Sequence, residues 1–385
     1  ISMPPRPESD EAAKEYYSFE EAVMGPIGLD GPHTYRDYLA ALHKADLPLN
    51  VAAMIGTGTV KICVKGFADT PYTQQELDDA RALIEDALAA TITRMTGEDG
   101  DETRGGAVAV VQVGTGEVLA LASYPTYDLS TFRQSSIYAA LYNDPARPFT
   151  NRATNGTYVP GSTIKPLTAV AALEKGIITP TQEIYSPSRW VYPNDPTHSG
   201  ANCAGGNHGL INVTEAITKS CNYFFAEMGY RMGMDTFREY LQAFGLGEHT
   251  GIEIGDYAGT LPSNEAGHDQ TPWATFGQAN QLYSPLQLAN YIATLCGGGE
   301  RYATHLLKNV RSSGSGTLEY VYDAAPVETV SMSSENLSAV LAGMHDLAAD
   351  GAVSSYFKDC IVDRYDPDGR REEQQRRIRL LRPLR

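Results

Sequence analysis

A serine and a lysine three residues apart, Ser162 and Lys165, stand in the stretch VPGSTIKPL, with a glycine before the serine and a proline after the lysine. The residues that follow, LTAVAALEKG, are apolar almost all round and stop at Gly176, the pattern of a buried helix with a glycine at its end. Proline is tolerated only in a helix's first turn, so Pro166 places the helix start close to Ser162. A side chain there sits beside unpaired N–H groups and the positive end of the helix dipole, which favour an oxyanion. Lys165, three residues on, is a neighbour on the same face and within reach of Ser162. A serine hydroxyl is a weak nucleophile until a base takes its proton, and a lysine does so when burial lowers its pKa. The pair is therefore a candidate nucleophile and base, although the same spacing also occurs in helices that do no chemistry. The glycines at 156 and 161 followed by Ser162 and Thr163 mimic a phosphate-binding loop, but the lysine that must precede the Ser/Thr is absent.

A second candidate lies in INVTEAITKSCNYFFAEMG, where Ser220 and Asn222 are displayed on a turn between apolar segments. Alone, such a triplet is a helix cap. Together with VPGSTIKP it resembles the active site shared by penicillin-binding proteins and serine β-lactamases. The blocks GEVLALASYPTYDLSTF (116–132), GGNHGLINVTEAITKSCNYFFAEMG (205–229) and FGQANQLYSPLQLAN (276–290) look like the transpeptidase domain of class B penicillin-binding proteins, nearest the elongation-type penicillin-binding protein 2. One departure is alanine at Ala279, where the family usually has a second glycine.

That resemblance implies a peptidoglycan D,D-transpeptidase working through an acyl-serine. Ser162 would attack the carbonyl between the terminal D-alanines of a stem peptide, with Lys165 as general base. Ser220 would relay a proton to the departing amine, and Asn222 would orient Lys165 and hydrogen-bond the substrate amide. The Ser162 N–H would form half of an oxyanion hole. No metal or organic cofactor is required. The implied partners are peptidoglycan stem peptides, β-lactam antibiotics and a cell-wall glycosyltransferase of the elongation machinery. The implied location is the extracytoplasmic face of a bacterial membrane. A serine β-lactamase or D,D-carboxypeptidase is a rival reading, as is a non-catalytic scaffold that keeps the penicillin-binding fold.

The elements that must hold these residues are legible in outline. The segment 74–95 has apolar residues at Leu77, Ala80, Leu83, Ile84, Ala87 and Leu88, the period of a helix with one buried face. Two apolar runs around Gly114, Thr115 and Gly116 read as a β-hairpin. Helical patterns follow at 213–228, 234–244, 285–296 and 334–349, separated by Pro/Asn/Gly-rich loops such as 187–209, and another falls near 34–44. Two strands followed mostly by helices indicate α+β architecture. By resemblance this becomes the transpeptidase fold: an antiparallel sheet flanked by helices, with an all-helical subdomain, and the C-terminal strands expected to be missing.

The 385 residues carry a net charge of -17, which argues against nucleic acid as the partner. No run of about 18 apolar residues suggests a membrane span, and the chain, starting at Ile1, reads as a fragment. The five cysteines include no CxxC pair, so zinc-finger and thioredoxin-like sites are not expected. Cys203 and Cys221 are candidates for pairing in an oxidising compartment if the fold brings them together. His208 reads as a loop hydrogen-bonder.

The expected organisation is an N-terminal remnant at 1–57, a transpeptidase domain at 58–360 and an Arg-rich aberrant tail at 361–385. The family's third box, lysine then threonine or serine then glycine on an edge strand, has no counterpart; the triplets at Val64, Glu174 and Thr218 differ in composition and position. The tail reads either as a basic extension or as a displaced reading frame. Shifted by one nucleotide, the codons of 378–385 permit an apolar strand ending in proline and tyrosine, whereas 365–368 yield neither the lysine nor the glycine. Without that box the expectation is severely reduced activity.

Overall fold

In a computed structural model, the protein is described over residues 73–99, 105–193, 200–264 and 269–354. The helix expected near 34–44 and the tail at 361–385 lie outside these residues.

The first periodic segment is helix α1 (Gln74–Asp99) and the two apolar runs are an antiparallel hairpin of β1 (Gly106–Val111) and β2 (Val118–Tyr124), in register from Gly106 opposite Tyr124. Gly106 lets α1 approach the hairpin: a Cβ there would stand 2.9 Å from Ile92 Cδ1 and 3.0 Å from Leu88 Cδ1. Arg81 fastens the helix further, its Nε donating to the Leu119 carbonyl at 3.0 Å.

The chain then runs through α2 (Ser135–Asn143) and α3 (Arg152–Asn155) into a 3-10 turn, Gly161–Ile164, which continues directly into α4 (Lys165–Glu174). Every residue of α4 from Lys165 to Leu173 is buried, as its all-round apolar sequence requires. Pro166 occupies its first turn, and Gly176 follows its end with φ +66°. The loops read at 187–209 contain one paired ribbon and are flanked by another, both too short for periodicity to reveal: β4 (Arg189–Trp190) with β5 (Ala201–Asn202) inside, and β3 (Ile184–Ser186) with β6 (Gly209–Ile211) at the ends.

The helical pattern at 213–228 is two helices, α5 (Val213–Thr218) and α6 (Asn222–Met232), separated by a corner. Asn212 and Glu215 cap α5 reciprocally at 3.0 Å each. Next come α7 (Met234–Ala243), α8 (Thr271–Ala274) and α9 (Pro285–Cys296). Ser284 and Gln287 form the same kind of box on α9, with Pro285 inside the start. Strand β7 (Glu300–Tyr302) pairs with β10 (Pro326–Thr329), and β8 (Asn309–Arg311) with β9 (Leu318–Val321). Helix α10 (Ser334–Ala349) ends the described fold. Helices α5, α6, α7 and α10 all pack on α4, while α1 and α9 pack on the hairpin. The architecture is α+β, with α4 the buried axis of the helical part.

Ala279 adopts φ +67°, the left-handed region an L side chain enters at a cost of roughly 1–2 kcal/mol. Ala279→Gly removes that strain but returns part of it as unfolded-chain entropy, roughly 0.4–1 kcal/mol. The variant is expected to be about 0.5 kcal/mol more stable, read as a higher urea midpoint at unchanged slope.

Candidate active site

The four residues singled out in the sequence meet at one place. Ser162 is exposed on the 3-10 turn, and Lys165 opens α4 with only 2% of its surface accessible. From the corner between α5 and α6, Ser220 and Asn222 face them. Lys165 Nζ donates to the Ser220 carbonyl at 2.7 Å, to Ser220 Oγ at 3.0 Å and to Asn222 Oδ1 at 2.8 Å. Ser220 Oγ in turn lies 3.1 Å from Ser162 Oγ. The sequence suggested Lys165 beside Ser162 on one helix face; the contact the fold makes runs through the Ser220 hydroxyl.

Local chemistry explains the corner. Ser220 is held at φ +50°, a conformation unusual for a non-glycine residue and one that turns its carbonyl and hydroxyl toward the same amine. Cys221 then caps α6, its sulfur accepting the Phe224 N–H at 3.4 Å. The Asn222 amide is oriented by its Nδ2 donating to the Asn202 carbonyl at 3.0 Å, which leaves Oδ1 for Lys165.

Burial is the leading influence on Lys165 and lowers its pKa from the ordinary 10.5 to about 8, with the neighbouring Cys221 and Cys203 pulling weakly the other way. An ammonium spends its three N–H groups on these three acceptors. The neutral amine keeps two and presents a lone pair. If that lone pair accepts from Ser220 Oγ–H, and Ser220 accepts from Ser162 Oγ–H, the same atoms form a proton path from nucleophile to base.

Behind the corner is a cluster that residue spacing did not disclose. Cys203 and Cys221 sulfurs are 3.7 Å apart, both thiols free, and His208 Nδ1 is 3.7 Å from Cys203. Ser186 Oγ meets Cys221 at 2.9 Å. The ligand atoms of Cys203, His208 and Cys221 lie within 4.8 Å of one another, a soft set able to hold a zinc-class ion. The sequence, lacking a CxxC pair, gave no sign of this set, which the fold assembles from two segments. Hydrogen bonds from the Cys221 thiol and from the Tyr223 and Asn222 amides hold Cys203 below the usual thiol range, and Cys221 is pushed up by its bond to Cys203 and by burial.

A family model described as the penicillin-binding protein transpeptidase domain matches residues 106–366. The chain belongs to this family. It is similar to the peptidoglycan D,D-transpeptidase MrdA of Escherichia coli, 35% identical over 221 residues, which cover 54% of this chain and 35% of that protein. The chain thus spans about a third of the length of that relative. Among solved structures it resembles Pseudomonas aeruginosa penicillin-binding protein 2 in complex with WCK 5153, at 27% identity and TM-score 0.58, covering 69% of this chain and 62% of that one. It also resembles the imipenem acyl-enzyme of Mycobacterium tuberculosis penicillin-binding protein A, at 27% identity and TM-score 0.56, over 63% and 57% of the two chains. The likeness places the chain among class B transpeptidase domains of the penicillin-binding protein 2 type and agrees with the α+β architecture. Among the described residues no helix is long and apolar enough to cross a membrane.

Proposed function

We propose that the chain carries the transpeptidase domain of an elongation-type peptidoglycan D,D-transpeptidase, over residues 58–360. The observation that supports this most is the hydrogen-bonded array joining Lys165, Asn222, Ser220 and Ser162. Ser162 Oγ forms an ester with the penultimate D-alanine carbonyl as the amide bond to the terminal D-alanine breaks. The proton lost by Ser162 passes through Ser220 to Lys165 and back to the departing amine. An acceptor amine then attacks the ester, a new amide forms, and Ser162 recovers its proton. A β-lactam acylates Ser162 in the first step and lacks a departing group to clear the site.

The stem peptides and β-lactams named by the resemblance are the ligands proposed for this cleft, at the extracytoplasmic face of a bacterial membrane. A cell-wall glycosyltransferase is the proposed protein partner. Supporting it, one solved relative, 28% identical, comes from a peptidoglycan synthase complex that coordinates polymerization and crosslinking.

Fluorescent penicillin tests the reading directly. The full chain is expected to take up one label on the peptide containing Ser162, and Ser162→Ala to take up none. Rapid nitrocefin turnover would favour a β-lactamase instead, and no label on the unaltered chain would favour a non-catalytic scaffold. A rate matching that of an intact relative would contradict the expectation that a missing third box slows the reaction.

A further inference from the structure

Thr275 has no place in the acyl-transfer chemistry, yet it touches both helices that carry it. It is fully buried just after α8. Its carbonyl accepts from Thr168 Oγ1 of α4 at 2.7 Å, and its hydroxyl donates to the Phe225 carbonyl of α6 at 2.8 Å. Thr168 is three residues beyond Lys165, and Phe225 three beyond Asn222, so each bond is anchored one turn from a polar group of the site. The Phe225 ring itself lies 5.6 Å from Lys165 Nζ.

The segment around Thr275 is built to stay put. Gln281, buried, donates from Nε2 to the Ala274 carbonyl at 2.6 Å and to the Gln278 carbonyl at 2.9 Å, and Tyr283 OH donates to its Oε1 at 3.2 Å. The Gly277 carbonyl accepts the Gly161 N–H at 2.9 Å, next to the nucleophile. On the other side, Gly229 of α6 lets the segment approach: a Cβ there would collide with Thr275 Oγ1 and stand 2.8 Å from the Thr271 carbonyl. Other carbonyls, of Thr271 and Pro272, lie 3.1 Å from the same hydroxyl, so its proton has several acceptors on its own segment but only one on α6.

We infer that Thr275 is a positioning residue: by bonding α4 through its carbonyl and α6 through its hydroxyl, it sets the separation between Lys165 and the Ser220/Asn222 corner. A gap of a few tenths of an ångström between these helices would lengthen the Lys165 contacts and admit water around a buried amine. The inference rests on the acyl-serine reading for its effect on rate, but not for its effect on Lys165 itself.

The deciding experiment follows the Lys165 Cε/Hε resonances by NMR titration in the full chain labelled with 13C-lysine and assigned with Lys165→Arg. Thr275→Val keeps the shape and removes the hydroxyl; the Lys165 midpoint is expected to rise by at least about half a pH unit as the amine becomes better solvated. Thr275→Ser keeps the hydroxyl and is expected to restore the original midpoint. Thr168→Val cuts the other bridge and is expected to shift the midpoint in the same direction. Where penicillin labels the chain, Thr275→Val is expected to lower the first-order acylation constant about tenfold without weakening the preceding non-covalent binding. Valine variants that lose thermal stability while Lys165 titrates as before would overturn the inference and leave Thr275 an ordinary core threonine. Failure of every chain to label would remove the acyl-serine reading, with the Lys165 titration still deciding the role of Thr275.

Discussion

Lys165→Met is expected to reduce β-lactam acylation by about three orders of magnitude, within the range general-base catalysis supplies. Methionine has nearly the length of lysine and suits a position surrounded by Phe225 and the apolar α4, so the loss reports chemistry more than packing. The variant cannot accept a proton, and it leaves the Ser220 hydroxyl with nowhere to pass the one it takes from Ser162. It also strands the Asn222 carbonyl oxygen and the Ser220 carbonyl, at a cost of about 1–3 kcal/mol for each that water does not reach.

The pH dependence of the unaltered chain should carry the same signature. A general base works in its neutral form, and burial holds Lys165 at about 8. Acylation should therefore rise about tenfold per pH unit up to that value and level off above it. An ordinary exposed lysine would go on rising toward 10.5. A stopped-flow series with a penicillin reporter between pH 6 and 10 measures both; a rate flat from pH 6 upward would remove Lys165 from the role of base.

What could be read without coordinates was whatever is encoded over short spans. The Ser162/Lys165 spacing, the buried run after Pro166 and the stop at Gly176 are all local; the run and its stop placed the helix correctly, and the spacing put both candidate residues at its start. The same holds for α7, α9 and α10, whose apolar faces are periodic, and for α9 and α10 the capping serines lie within one turn of the helix start. The break between α5 and α6 was half visible. A residue such as Ser220 at φ +50° carries no glycine to announce it, so the pattern looks continuous through the corner that matters most.

Long-range assembly was not legible in the residues themselves; only the family resemblance joined Ser220 and Asn222 to Ser162 and Lys165. The relay through Ser220 depends on where α6 sits against α4, which Thr275 and the core decide. The thiol and imidazole cluster joins Cys203 and His208, on one loop, to Cys221 at a helix cap, and no spacing rule connects them. Short ribbons such as β4 and β5 owe their existence to pairing across a loop and to the anchoring of Trp190 of β4, which is buried with its Nε1 donating to Glu227 Oε2 at 2.9 Å.

Gly277→Ala is expected to be the most damaging single-methyl change in the described fold, because of what the glycine touches. A Cβ at this position would overlap the Gly161 carbonyl carbon and oxygen, backbone atoms that no rotamer change can move. The residue also has φ +88°, so the added side chain is strained before it meets anything. Clash and strain together should cost about 3–5 kcal/mol, a large part of the 5–15 kcal/mol typical of a folded domain. The turn escapes by breaking the Gly161 N–H bond to the Gly277 carbonyl, which moves Ser162. A displacement near 1 Å at the nucleophile costs about a hundredfold in rate. Gly161→Ala is the matched control: φ there is +58°, but a Cβ would have nothing within 4 Å. That variant should lose only about 1–2 kcal/mol through backbone strain. Chemical unfolding of both proteins, with penicillin labelling alongside, separates the two causes. Equal destabilisation would show that backbone conformation, not the interlocked turns, holds Ser162 in place.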